Sequence, residues 1–391
     1  MSVQKSIKTR FVTILLFTEI LVIAAFIGTI FFIFQNNIRE SSLQIVKNTQ
    51  GFYNGLIEND IKMLSATLDT FATNEAFRQQ FNKGNIDILQ KAGEELFTHN
   101  RNRYGITHFY YIDNEGICRL RMHQPNLSGD KITRATFEAA KKNRRLASGI
   151  ELGQTAYALR VVVPYLDNGN QIGFVEFGEE IDHFNNIVKN ETGIDITLLG
   201  DKQYLKQEAY KATRNKAGKP DNWNDIANYV ILGSTFNQQD YFVNNIFRDE
   251  EVKNITKPVY LGTVNYNDRT LMKGAFPFYS FGDQRTGLVY VLGDVTDQIS
   301  DFRWLLIYVL LGGALVILAS FWIALHYMQA EIVNPIVALA QRAERISLGK
   351  GLDEEITTNR VDEIGLLTNA FERMRVSLSK VMQMVAGAGK S

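Results

Sequence analysis

Arg119, Arg121 and His123 alternate along the chain, so on a β-strand these three potential cations share one face. Guanidinium groups in such an array bind a carboxylate or phosphate through paired hydrogen bonds. The same pattern also fits an exposed strand face, or cations paired with Glu151 or Glu176. Arg160 is a sharper signal, because it interrupts the apolar run from Ala158 to Val163 and a charge at a half-buried position requires a partner. Glu176, between Val175 and Phe177, makes the same demand. Either the two pair across neighbouring strands, or they line a pocket for a polar ligand. Tyr110, Tyr111 and Tyr157 offer hydroxyls to such a pocket, although tyrosines at this spacing also pack sheets. The candidate ligand-binding set is therefore Arg119, Arg121, His123, Tyr157, Arg160 and Glu176.

Catalytic chemistry finds little support. There is no phosphate-binding glycine loop, no nucleophile elbow and no kinase, cyclase or phosphatase signature. The five histidines are scattered without a paired ligand motif, and Asp113-Asn114-Glu115 fits a turn better than a calcium loop, so no metal and no cofactor is expected. The expectation is a protein that is not an enzyme. Two alternatives are a membrane-anchored scaffold that senses a protein partner and an extracytoplasmic hydrolase using Arg160, Glu176 and His123. With 42 basic and 42 acidic residues in balance, nothing points to nucleic acid. Cys118 is the single cysteine, which rules out a disulfide within the chain.

The elements that must hold these side chains are legible from periodicity. A long helix is expected from Asn36 to about Asn82 and a second from Ile86 to about Asn100. The period then changes: Ile106–Ile112 and Ile117–Met122 read as strands around the turn Asp113-Asn114-Glu115-Gly116. Thr136–Arg145 reads as a short helix, and Tyr157–Tyr165 and Ile172–Phe177 as two more strands. That last unit recurs. Pro164-Tyr165, a turn and Gly173-Phe174-Val175 are echoed by Pro277-Phe278, a turn and Gly287-Leu288-Val289, which predicts two similar α+β modules divided near Gly200. Lys202–Asp249 has no clear period.

Two apolar stretches flank this region. Phe11–Phe34 and Trp304–Leu325 each reach the roughly 20 residues that a helix needs to cross a bilayer. Lys5, Lys8 and Arg10 precede the first and place the N-terminus in the cytoplasm, so residues 35–303 lie outside and 329–391 inside. Glu19 falls within the first span, where a carboxylate faces another helix or takes a proton. Beyond the second span, Ile332, Ile336, Leu339, Ala343 and Ile346 form one heptad seam, and Ile364, Leu367, Phe371, Met374 and Leu378 another. Each is too short to be stable alone, but two chains would bury both in a parallel four-helix bundle.

Asn334-Pro335-Ile336, Gly349 and Asp362-Glu363-Ile364-Gly365, in this order after a membrane span, resemble a HAMP domain. Its Gly-Lys-Gly-Leu connector carries an extra residue before the first apolar contact. The resemblance implies a dimeric signal relay in which Pro335, Gly349, Asp362, Glu363, Ile364 and Gly365 take part. Upstream, Arg121-Met122-His123-Gln124-Pro125, Gly129-Asp130, Ser148–Gly153 and Leu159–Pro164 resemble the double-Cache sensors of bacterial chemoreceptors and sensor kinases. The amino-acid-binding signature of that family, a Tyr with an Arg-x-Trp-Tyr run, is not evident.

The combination implies a homodimeric inner-membrane receptor, multi-pass, with its sensor periplasmic or extracellular. It would bind a small polar or anionic ligand and signal to a cytoplasmic output domain or a separate partner protein, as in chemotaxis or two-component sensing. The expected divisions are 1–10 cytoplasmic, 11–34 transmembrane, 35–303 sensor (about 36–200 distal, about 201–303 proximal), 304–327 transmembrane, 328–381 HAMP and 382–391 tail. The expected fold class is an α+β sensor, with a long helix and two PAS-like antiparallel sheets, joined to two membrane helices and the helical bundle.

Overall fold

The computed structural model describes residues 7–388, so the N-terminal cation Lys5 and the last three residues of the tail, Gly389 to Ser391, lie outside the described residues. The segment Gln35–Ile299 forms one compact unit, and the flanking segments form another.

The chain opens with α1 (Ile7–Ala72), and α2 (Glu75–Asn82) follows separately. One helix was expected to run to about Asn82, and Asn74 is why it does not. The Asn74 side chain accepts a hydrogen bond from Phe77 N at 3.2 Å and so caps a new helix. α3 (Ile86–Tyr104) ends on Gly105, whose φ of 73° is the left-handed cap that glycine adopts without a Cβ clash.

The first sheet contains β1 (His108–Ile112), β2 (Cys118–Arg121), β3 (Ala147–Leu152), β4 (Tyr157–Asp167) and β5 (Asn170–Glu180), with α4 (Ala135–Asn143) between β2 and β3. Its order is β2-β1-β5-β4-β3. α5 (Asp182–Thr192) then carries the chain to a second sheet of β6 (Asp195–Asp201), β7 (Tyr229–Ser234), β8 (Val259–Tyr266), β9 (Arg269–Ser280) and β10 (Gln284–Asp294). The order there, β7-β6-β10-β9-β8, is the same permutation, and every pairing in both sheets is antiparallel. The repeated Pro and Gly of the sequence occupy equivalent strands: Pro164 and Pro277 on β4 and β9, Gly173 and Gly287 on β5 and β10. Gly200 lies inside β6, so the chain changes sheets before Asp195, at the Gly193 cap of α5.

Strand alternation divides each sheet into two faces. Tyr157, Leu159, Val161 and Val163 of β4 join Leu64, Leu68 and Phe71 of α1 in the main core. On the opposite face, Tyr110, Val162 and Phe174 pack with Phe137 of α4 in a smaller cluster. The stretch Lys202–Asp249, which has no clear period, folds into a 3₁₀ turn (Lys202–Tyr204), α6 (Gln207–Lys216), β7 and α7 (Gln239–Tyr241). α8 (Asp249–Val252) follows it. Phe242 and Phe247, between α7 and α8, pack against Tyr290, Leu288 and Leu271 on the second sheet. The two sheets are joined where Phe281 N donates to Ile150 O at 2.7 Å, and where the Tyr157 and Thr286 hydroxyls lie 3.2 Å apart.

In the other unit, α9 (Thr296–Met328) passes through a π-helical turn (Gln329–Val333) into α10 (Asn334–Ser347), and α11 (Glu363–Ala388) follows a connector. Among the described residues two helical stretches, within Phe11–Ala72 and Thr296–Ser347, are long and apolar enough to cross a membrane. Phe34 stacks on Phe302 with ring centroids 3.5 Å apart. Ile356 and Leu352 of the connector fold back onto Leu339, Ile346 and Phe371, despite the extra residue.

Candidate ligand-binding site

Register places the buried charges. Tyr110 of β1 lies directly opposite Glu176 of β5, and Arg160 of β4 lies opposite Gly178, so Arg160 and Glu176 are diagonal neighbours on one face. Glu176 is fully buried. Its carboxylate accepts from Arg160 Nη1 at 2.7 Å and from Arg134 Nη2 at 2.6 Å, so two guanidinium groups converge on one acid. Arg134 arrives from the residue before α4, and its guanidinium carbon sits 4.6 Å from the centroid of the Tyr110 ring, a cation–π position. Glu151 of β3 completes the array. It accepts from Thr136 N at 2.8 Å and Thr136 Oγ1 at 2.9 Å, at the positive N-terminal end of α4, and lies 3.4 Å from Arg160 Nε.

Tyr110, Arg134, Glu151 and Arg160 form one wall of a cavity of about 1150 Å³, with Glu176 buried behind them. Arg121 reaches its rim, held by Asp130 at 2.5 Å and Leu127 O at 2.8 Å. Tyr204 of the 3₁₀ turn, Lys206 just before α6 and Thr213 of α6 face it from the second sheet's side, and Thr213 donates to Gln154 Oε1 at 2.8 Å across the edge. The volume exceeds the usual range for a small-ligand pocket, roughly 300–1,000 Å³, so a bound molecule would share it with water or draw these walls together. Among the described residues, the equivalent positions of the second sheet carry different side chains. Four residues before Pro277, as Arg160 is before Pro164, stands Lys273, which pairs with Glu251 at 3.0 Å. Three residues after Gly287, where the first copy has Glu176, stands Tyr290, under Phe242 and Phe247.

The six residues expected from the sequence are therefore dispersed. Arg160 and Arg121 line the cavity, and Glu176 is buried behind Arg160. Arg119 points away, 3.8 Å from Asp113. His123 lies beyond the end of β2, and its Nδ1 accepts from Phe109 N at 3.2 Å. Tyr157 sits on the core face of β4, at the junction with Thr286. Arg134 carried no sequence signal, since a lone arginine ahead of a helix resembles any solvated loop residue.

His108, on the cavity wall, has its pKa pushed down to about 3 by burial and then by the Arg160 guanidinium, with His123, Arg134 and Arg101 acting the same way. Burial likewise lowers His123 to about 4. Both folded values lie below the unfolded value near 6.5, so the stability contributed by the neutral rings is complete above that pH. It is lost as pH falls toward the folded values. The thermal midpoint of the full chain is expected to fall between pH 7 and pH 5, and His108→Gln to flatten that dependence in a pH series of melting curves.

The residues expected to relay signals cluster around the connector. Pro335 occupies the first turn of α10, and Gly349, with φ of 71°, follows that helix. Asp362 caps α11 by accepting from Gly365 N at 2.9 Å, and it pairs with Arg360 at 2.7 Å. Arg360 also reaches Glu331 in the π turn, at 3.3 Å. Glu363 and Ile364 begin α11, and a Cβ on Gly365 would stand 2.1 Å from Arg360 O, so the connector fits only a glycine there.

A family model described as the double sensory domain of two-component sensor kinases matches residues 41–299, and the HAMP domain model matches residues 328–380. No curated protein matches the chain. Solved structures resemble it at low identity. The periplasmic domain of Vibrio cholerae LuxQ is 11% identical with a TM-score of 0.37, over 63% of this chain and 98% of that one. The ligand-binding domain of the Campylobacter jejuni chemoreceptor Tlp3 in complex with L-valine is 13% identical with a TM-score of 0.30, over 63% and 96%. The E. coli DcuS sensor domain is 21% identical with a TM-score of 0.29, over 34% and 97%.

Proposed function

The chain belongs to the double sensory-domain family of two-component sensor kinases, and we propose that it is an inner-membrane receptor whose first-sheet cavity binds a small polar or anionic ligand. The HAMP domain that follows relays the resulting change. The observation that carries the ligand assignment is the convergence of Arg160 and Arg134 on the buried Glu176 at the cavity wall. A fully buried carboxylate held by two arginines is seldom the most stable way to fill a core, and here both guanidinium groups reach the cavity. Filling of the equivalent face of the second sheet by Phe242, Phe247 and Tyr290 supports the first module as the ligand-binding one. In this reading residues 36 to about 193 form the membrane-distal module and about 194–303 the membrane-proximal one, with 11–34 and 304–327 in the membrane and 328–381 as the HAMP domain.

Signal leaves the cavity along β3. Glu151 contacts Arg160, and its neighbour Ile150 accepts the Phe281 N–H of the β9–β10 hairpin. β10 then leads to α9, whose start is fixed by Thr296: its Oγ1 accepts from Thr270 N at 2.9 Å. A ligand biases this path only by binding two arrangements with different affinity. A homodimer is supported by the seam residues Ile332, Ile336, Leu367, Met374 and Leu378, which are exposed on a single chain. A second chain would bury them in a four-helix bundle.

The test is a thermal-shift panel on the full chain in lipid nanodiscs, with organic acids, amino acids, amines, nucleobases and phosphates. One class is expected to raise the midpoint in a concentration-dependent way, since a ligand bound only by the folded state stabilises it. Arg160→Ala is expected to abolish the rise. A rise that persists unchanged in Arg160→Ala would move the site elsewhere, and no rise across the panel would favour a docked protein as the stimulus.

A further inference from the structure

A second polar cluster lies away from the cavity, between α1 and the start of α5. Its members are Asp60 of α1, Glu179 near the end of β5 and His183 in the first turn of α5. His183 Nε2 is 3.0 Å from Glu179 Oε1 and 3.7 Å from Asp60 Oδ2, and all three donor atoms lie within 4.8 Å of one another. The other ring nitrogen, Nδ1, is 3.0 Å from Glu180 O. Donation of Nδ1–H to that carbonyl fixes the tautomer and turns the Nε2 lone pair toward the two acids, the arrangement that outer-sphere bonds impose on metal-bound histidines. Two carboxylates and a lone pair facing one another require a shared positive charge.

A proton on Nε2 supplies that charge but leaves one group unanswered. Glu179 is 2% exposed, and its Oε2 is buried with no hydrogen-bond partner. A proton on His183 bonds one oxygen at a time, whereas a metal ion accepts donors from several directions at once. We propose that Asp60, Glu179 and His183 form a binding site for a divalent first-row transition ion of the zinc or cobalt type. One imidazole and two carboxylates suit such ions, and three protein ligands leave a position for water. Separations of 3.0 and 3.7 Å are close to what donors about 2.0–2.2 Å from one ion require. The His183 side chain is 43% exposed, which gives the ion a route in. Gly105 leaves room for the acid, since a Cβ there would stand 3.2 Å from Glu179 Oε1.

The site would tie α1 to the turn through which the chain passes from the first sheet toward the second. The only other polar link between α1 and α5 among the described residues is the Tyr53 hydroxyl donating to Asn185 Oδ1 at 3.3 Å. A bound ion would therefore hold α1 against the junction of the two modules, independently of what occupies the cavity.

The experiment is calorimetric titration of Zn²⁺ into the full chain in nanodiscs after chelator treatment, with Co²⁺ absorption as a second readout. One ion per chain is expected, with a visible cobalt band. Glu179→Gln and His183→Gln are each expected to weaken binding by at least about tenfold. Asp60→Asn, on the helix surface, decides the matter if either of those variants fails to fold. Absence of heat and of a cobalt band would make the cluster a proton-bridged ion triad only, and undiminished binding in the variants would place the ion elsewhere; either result overturns the proposal.

Discussion

Glu176→Ala is expected to destabilise the sensor by about 3–5 kcal/mol, because it removes the buried acid that holds Arg160 and Arg134 and leaves them only the more distant Glu151, 3.4 and 3.9 Å away. For a unit of this size that lowers the thermal midpoint by on the order of 10 °C. Removing Arg134 is expected to do less, since Arg160 still neutralises Glu176 at 2.7 Å and Arg134 is the more exposed of the two. The informative comparison is a triple apolar variant, Arg134→Met, Arg160→Met and Glu176→Leu. Well-packed apolar replacements of buried ion clusters are often neutral or stabilising. This variant is expected to melt near the wild-type midpoint while showing no ligand-induced shift. That outcome would separate recognition from stability. If the triple variant is as unstable as Glu176→Ala, the cluster is a structural device and the ligand reading of this wall fails.

The sequence made parts of this arrangement visible and hid others for identifiable reasons. A charge inside a strand-length apolar run has to be explained, so Arg160 and Glu176 stood out from their neighbours alone. Of the two readings open for them, the structure shows the pairing, Arg160 with Glu176 at 2.7 Å, and Arg160 also lines the cavity in front of the buried acid. Alternation along a strand puts Arg119, Arg121 and His123 on one face, but β2 ends at Arg121 and His123 turns back to bond Phe109. Strand length decided that, and turn residues just past a strand do not announce it. Arg134 and the metal-type cluster were hidden because their partners are distant in sequence. Nothing in the neighbourhood of Asp60 announces Glu179 or His183, and only packing of α1 against β5 and α5 brings them together. Helix boundaries failed locally for the same reason that they usually do: Asn74 caps a helix in a stretch whose apolar period continues past it.

Gly173→Ala and Gly287→Ala are expected to be destabilising for a shared reason and to differ in one consequence. The two glycines are equivalent in the internal repeat, and a Cβ on either would strike the carbonyl oxygen of the neighbouring strand. The contact would be 2.3 Å to Ile112 O from Gly173 and 2.1 Å to Leu199 O from Gly287. Backbone atoms inside a paired sheet cannot swing aside as a side-chain tip can, so β5 must shift against β1, or β10 against β6. The cost is expected to be at least about 1–3 kcal/mol for each, the usual range for overpacking. The glycines that made the echo visible in the sequence are thus a condition of the repeated strand pairing. They part company at the sheet junction. A Cβ on Gly287 would also lie 2.4 Å from the Tyr157 hydroxyl, which meets Thr286 across the two modules. For Gly173 the next nearest atoms are carbons of the Phe81 ring at 3.1 Å, within the first module. Hydrogen exchange on the full chain is therefore expected to show Gly173→Ala loosening β1 and β5 alone. Gly287→Ala is expected to expose amides of β4 around Tyr157 as well as β6 and β10. If both variants loosen only their own sheet, the Tyr157–Thr286 contact does not couple the modules. The path from the cavity would then run through β3 and Phe281 alone.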